Sequence, residues 1–354
     1  MMDTLVNLLG ISAHDPAFWM PLVFYAVLYA LLVACIVLDG FDVGVGCLMM
    51  FASQPHRRRM MGLLAPWRDA NGYWLLLCLV VFLAAFPLAW RSVLGQLYAP
   101  LCLLGAGVAL RMAAFEFRLR APLAEQPFWG RAFGAGSCMT ALAYGWLLAY
   151  SVVPDHGGVG FAVFEIFVTL CGFTSFSLLG ACWLVMRQSG PLRMAAARWG
   201  RLSVRWSAAG AVAVSAALAL GNPAVLLKWG GDVQWPMVLG LWGVLLLCFI
   251  ALELSLRRLA RGRRGRAWLP FLLAMLVCLA VLGGVGYSFF PYLVLDDLTI
   301  WDASVMLDVA PFMLAALVVA SPVVIVFNLW VYWRMFGESR PPEPPPFKPV
   351  RGSF

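Results

Sequence analysis

Charge and histidine are what this sequence most lacks. Of its 354 residues only 12% are Asp, Glu, Lys or Arg, three are histidine, and 63% are hydrophobic. So few charges cannot cover a soluble surface, which excludes an ordinary globular domain. The histidines, His14, His56 and His156, fall in loops or just before an apolar run. No imidazole is therefore expected to project from a helix into a bundle, where a transmembrane haem would need it. Cys-x-x-Cys pairs are also missing, and all nine cysteines lie inside apolar runs. That excludes a disulfide framework or a zinc site and leaves them as small core residues. No polar stretch is long enough for a soluble domain. Met1 to Asp15 lacks a basic segment and a small-residue cleavage site, so no removable signal is expected.

What the chain has is apolar length. Runs able to cross about 30 Å of hydrocarbon cover roughly 18 to 50, 72 to 91, 94 to 114, 132 to 153, 161 to 187, 204 to 221, 235 to 256, 268 to 290 and 309 to 336. The expectation is an all-α, polytopic membrane protein of about nine transmembrane helices in bundles. Residues 1 to 337 form a single membrane domain, and the proline-rich stretch 338 to 354 is a cytoplasmic tail that cannot continue the last helix. Arginines cluster after spans one, three, five, seven and nine, from Arg57, Arg58 and Arg59 to Arg334, whereas only Arg91 and Lys228 fall on the other side. The bias toward one side predicts an outer N-terminus and a cytoplasmic C-terminus. It also assigns the net charge of +8 to contact with anionic lipid rather than nucleic acid.

Against this background the acids stand out. Asp39 and Asp42 lie in Leu38-Asp39-Gly40-Phe41-Asp42-Val43-Gly44-Val45-Gly46, at the end of the apolar run beginning at Phe18. A spacing of three residues sets both carboxyls on one helix face, and the glycines offer a surface for close packing by another helix. Carboxylates at this depth typically move protons, hold an ion or meet a partner; the plainer alternative is a wet helix end. Asp69, just before span two, is either a proton mouth feeding Asp42 or half of a surface pair with Arg68. Glu116, five residues after Arg111, is either a relay or a structural pairing partner. Glu165 and Glu253 read as snorkelling acids near helix ends.

Taken together, these motifs resemble subunit II of the cytochrome bd-type quinol oxidases. The resemblance rests on the Leu38–Gly46 segment, on Ala65-Pro66 with Asp69, Asn71 and Trp74, and on Phe115-Glu116-Phe117-Arg118. It continues through Gly180-Ala181-Cys182-Trp183-Leu184, Leu298-Thr299-Ile300-Trp301-Asp302-Ala303-Ser304 and Tyr332-Trp333-Arg334-Met335-Phe336-Gly337. It implies a multi-pass chain of the bacterial inner membrane, without catalytic residues or metal of its own. Such a chain pairs with a haem-bearing subunit I that holds haems b and d and oxidises quinol to reduce oxygen to water, with small single-span accessory subunits and membrane lipids as further partners. By position the resemblance makes Asp69 the mouth of a cytoplasmic proton path and Asp42 and Asp39 its deeper acids. Trp74 would mark an oxygen access route, and Arg111 with Glu116 would form a charged pair. The chain departs from the family in setting Arg68 where tryptophan is usual, Ala70 for glycine and Gly72 for a polar residue. The competing expectation is a proton-coupled secondary transporter built on Asp39 and Asp42.

Overall fold

The computed structural model describes residues 12, 14–64, 68–153, 156–232, 234–263, 265–295, 297–305 and 308–337; of 68–70, 331, 332 and 334–337 it describes the backbone alone. The tail 338–354 lies outside the described residues. The chain is a helical bundle. Its elements are α1 (Pro16–Ala34), a π-helical turn (Cys35–Asp39), α2 (Gly40–Met49), α3 (Gln54–Leu64), α4 (Arg68–Ala85), α5 (Ala89–Arg120), α6 (Gln126–Val152) and α7 (Gly158–Arg187). There follow α8 (Gly190–Gly221), α9 (Pro223–Trp229), α10 (Gln234–Ala260), α11 (Leu269–Phe289), the hairpin strands β1 (Tyr292–Val294) and β2 (Leu298–Thr299), α12 (Ile300–Ala303) and α13 (Ala310–Gly337).

Eight of these helical stretches are long and apolar enough to cross a membrane, the first being Pro16–Met49 taken as one. The expected span over 72 to 91 is instead the shorter α4, whose apolar part is Asn71–Ala85. Pro87 is the reason: it cannot sit inside a helix without clashing with the turn before it, so the chain breaks at the fully buried Phe86 and restarts at Ala89. A second proline, Pro100, leaves Leu97 with non-helical angles and kinks α5 instead of ending it. On the arginine-rich side the helices run further than hydropathy suggested. The α8 helix begins at Gly190 rather than near 204, because Arg and Ala are strong helix formers whatever their polarity.

Of the four apolar clusters among the described residues, the two largest hold most of the bundle. The larger joins α2, α3, α7, α8, α10 and α11 with parts of α5 and α6 around Phe41, Trp183 and Leu252. The smaller, around Phe24, Phe86 and Ile300, joins α1, α4, α12 and the start of α13. Here Trp301 stacks on Phe18 at 5.7 Å and donates its indole N–H to the Phe18 carbonyl at 3.0 Å. Lys228 has a local role too. It donates to the carbonyls of Tyr287 (2.5 Å) and Phe290 (2.7 Å) at the end of α11, where a cation suits the helix dipole. Burial pushes its ammonium down to about 8.

Candidate functional site: a buried acid and arginine cluster

The first membrane stretch is not one continuous α-helix. Between α1 and α2 the turn Cys35–Asp39 is π-helical, a widened turn that recurs at functional sites. It places Asp39 against α5, where Nη2 of Arg111 lies 2.7 Å from both carboxylate oxygens. Asp39 and Arg111 are 4% and 6% exposed, so the pair is inside the protein. Burying both charges costs several kcal/mol per ion, roughly offset by their attraction and by short charged hydrogen bonds.

One turn on, Asp42 is also buried and accepts a hydrogen bond from Asn71 Nδ2 at 2.8 Å. Asn71 comes from the first turns of α4, so this contact ties the acid to the helix that begins at Arg68. The side chains of Arg68 and Asp69 lie outside the described residues. Trp74, one turn after Asn71, keeps its indole N–H buried with no hydrogen-bond partner among the described residues.

Glycine explains how α2 reaches this depth. A Cβ on Gly44 would lie 1.8 Å from the Phe176 carbonyl oxygen, and one on Gly180 would lie 2.3 Å from the Gly44 carbonyl carbon. The backbones of α2 and α7 therefore touch, as the glycine pattern predicted. On the other flank, α6 brings Tyr144 to the π turn, its hydroxyl 3.3 Å from the Cys35 thiol. Neither Tyr144 nor Cys35 was singled out from sequence; the available signal was that Cys35 precedes Asp39 by four residues.

One expected partnership and two expected snorkelling acids are corrected. Arg111 and Glu116 are not a pair: five residues along an α-helix is well off a whole number of turns, so Arg111 faces inward while Glu116 faces outward and pairs with Arg120 at 2.6 Å. Glu253 does not simply snorkel. Its Oε1 accepts from Arg201 Nη2 (2.8 Å) and Arg205 Nη2 (3.3 Å), joining α10 to α8. Glu165 accepts a hydrogen bond from the Trp146 indole. Among the described residues no three His, Cys, Asp or Glu side chains gather as metal ligands.

The sequence model of the cytochrome bd terminal oxidase subunit II family matches residues 20–335. The cytochrome bd-I ubiquinol oxidase subunit 2 of Escherichia coli K12 is 26% identical over 352 residues, covering 87% of this chain and 92% of that one. A probable cytochrome oxidase subunit 2 of Haemophilus influenzae is 25% identical over 364 residues, covering 89% and 94%. In the solved bd oxidase of Geobacillus thermodenitrificans one chain superposes with a TM-score of 0.71 at 20% identity, covering 90% of this chain and 98% of that one.

Proposed function

Because the chain belongs to the cytochrome bd terminal oxidase subunit II family, we propose that it is the haem-free subunit of a quinol-oxidising, oxygen-reducing complex of the bacterial inner membrane. In this reading it packs against a haem-bearing subunit I and carries cytoplasmic protons inward through Asp69, Asp42 and Asp39 toward the haems b and d of that partner. One observation carries the reading: two carboxylates are buried in a membrane-type bundle, each with a dedicated donor, Arg111 for Asp39 and Asn71 for Asp42. A merely wet helix end would show neither the burial nor the partners.

Asn71 links the cluster to α4, whose first residues include Asp69, and that link supports uptake at the start of this helix. Trp74 lines the same stretch, and its buried indole N–H fits a boundary of an oxygen route. Glu116, exposed and paired with Arg120, is left out of the path. The transporter alternative has no observation of its own, since the π turn in the first span has no π-helical counterpart among the described residues.

Asp42→Asn keeps the shape of the side chain and its contact with Asn71 but cannot take up and release a proton. In the assembled two-subunit complex it should slow quinol-driven oxygen consumption by about 10²-fold or more, within the range ascribed to a positioned acid or base. The visible haem spectrum reports assembly separately. Normal turnover in a fully assembled Asp42→Asn complex would remove this acid from the path.

A further inference from the structure

The proposed path has so far ended at Asp39, yet the polar side chains do not. Cys35, Asp39 and Asp42 fall at i, i+4 and i+7 along the first membrane stretch, and each is buried. Across from Cys35 the Tyr144 hydroxyl lies 3.3 Å from its sulfur, a reach at which either group can be the donor. Asp39 stands at the other end of the same π turn as Cys35, where Arg111 holds its carboxylate. The surrounding side chains are apolar: Val43, Cys47, Ala141 and Phe176 close the inner side, and the Tyr144 ring packs 5.3 Å from Phe176. A thiol and a hydroxyl that meet in such a setting, one turn beyond an acid, are unusual ways to fill space.

We infer that Cys35 and Tyr144 form the next step of the proton path, passing a proton from Asp39 across to α6. This rests on the acid-path reading above. The transfer is a hop through neutral groups. As a proton arrives on the Cys35 sulfur, the thiol's own proton moves to the Tyr144 oxygen, and the phenol releases its proton to a water molecule. One S–H and one O–H bond are broken and remade, no electron moves, and neither group is left ionised. Cys35 is 1% exposed and the Tyr144 hydroxyl that meets it is enclosed with it, so the relay carries the proton from the acids of the first membrane stretch across to α6.

The test uses the assembled oxidase. Proton uptake would be followed with a pH-indicating dye as the reduced complex reacts with oxygen, with the haem spectrum scoring assembly and the quinol KM measured in parallel. Cys35→Ala and Tyr144→Phe should each slow proton uptake about tenfold or more with KM unchanged, and Cys35→Ser, which restores a hydroxyl at the same place, should recover most of the rate. If Tyr144→Phe fails to assemble, the alanine and serine variants at 35 decide. Equal rates in those two, or wild-type uptake in Cys35→Ala alongside slow uptake in Asp39→Asn, would overturn the relay while leaving the acid path standing. Wild-type uptake in Asp39→Asn as well would overturn both.

Discussion

At the scale of single residues, the deepest charges are held by one another. Removing Arg111 leaves Asp39 buried without its guanidinium, a loss of about 3–5 kcal/mol for a broken buried pair, whereas replacing both members with apolar groups is often close to neutral. Arg111→Met should therefore sharply lower complex yield and denaturation temperature in detergent, and Asp39→Leu combined with it should restore much of both. A double variant as unstable as the two losses added would show that the pair is not coupled. The acids themselves were legible, because an apolar run interrupted by two carboxylates has few explanations. Their partners were not. Arg111 had a near neighbour of opposite sign in Glu116, and only the turn of the helix shows that the two face apart. Tyr144 gave no signal, since one tyrosine in an apolar span looks like any other.

At the scale of elements, helix contacts and helix ends set the geometry. The crossing of α2 and α7 leaves no room for a methyl group at Gly44 or Gly180. Gly44→Ala and Gly180→Ala should each prevent assembly or lower the denaturation temperature well below that of Gly240→Ala, whose added Cβ would meet nothing within 4 Å. A stable Gly44→Ala complex would mean that the two backbones separate at little cost. This close approach could be read from Gly40, Gly44 and Gly46 alone, although the identity of the helix that fills it could not. Arg57 shows the opposite case. It read as one of a run of topology-marking cations, but it is buried and donates to the carbonyls of Met49 (3.0 Å) and Ala52 (3.1 Å), capping the end of α2. The tripeptide Arg57-Arg58-Arg59 offers three candidates for that task, and nothing local picks one.

At the scale of the whole molecule, the arginine distribution predicts a cytoplasmic C-terminus. A fluorescent protein fused after residue 354 should fluoresce, and a phosphatase reporter at the same place should be inactive; the reverse would invert the bundle and move the Asp69 side to the exterior. Spans and membrane class were plain in the composition, because hydropathy reports transfer to hydrocarbon directly. Lengths were less so, since helices continue past their apolar runs wherever propensity allows, as α8 does, and stop short where proline intervenes, as α4 does. The π turn between α1 and α2 has a consequence for how the two cores relate. An α-helix advances about 100° per residue, so one widened turn acts as a phase step: the N-terminal half of the first stretch keeps its bearing on the smaller core, while the C-terminal half takes another on the larger one. Losing one residue between Ile36 and Leu38 would undo that step and swing Asp42 and Gly44 together off Asn71 and α7. Every functional group would still be present, aimed at the wrong neighbours.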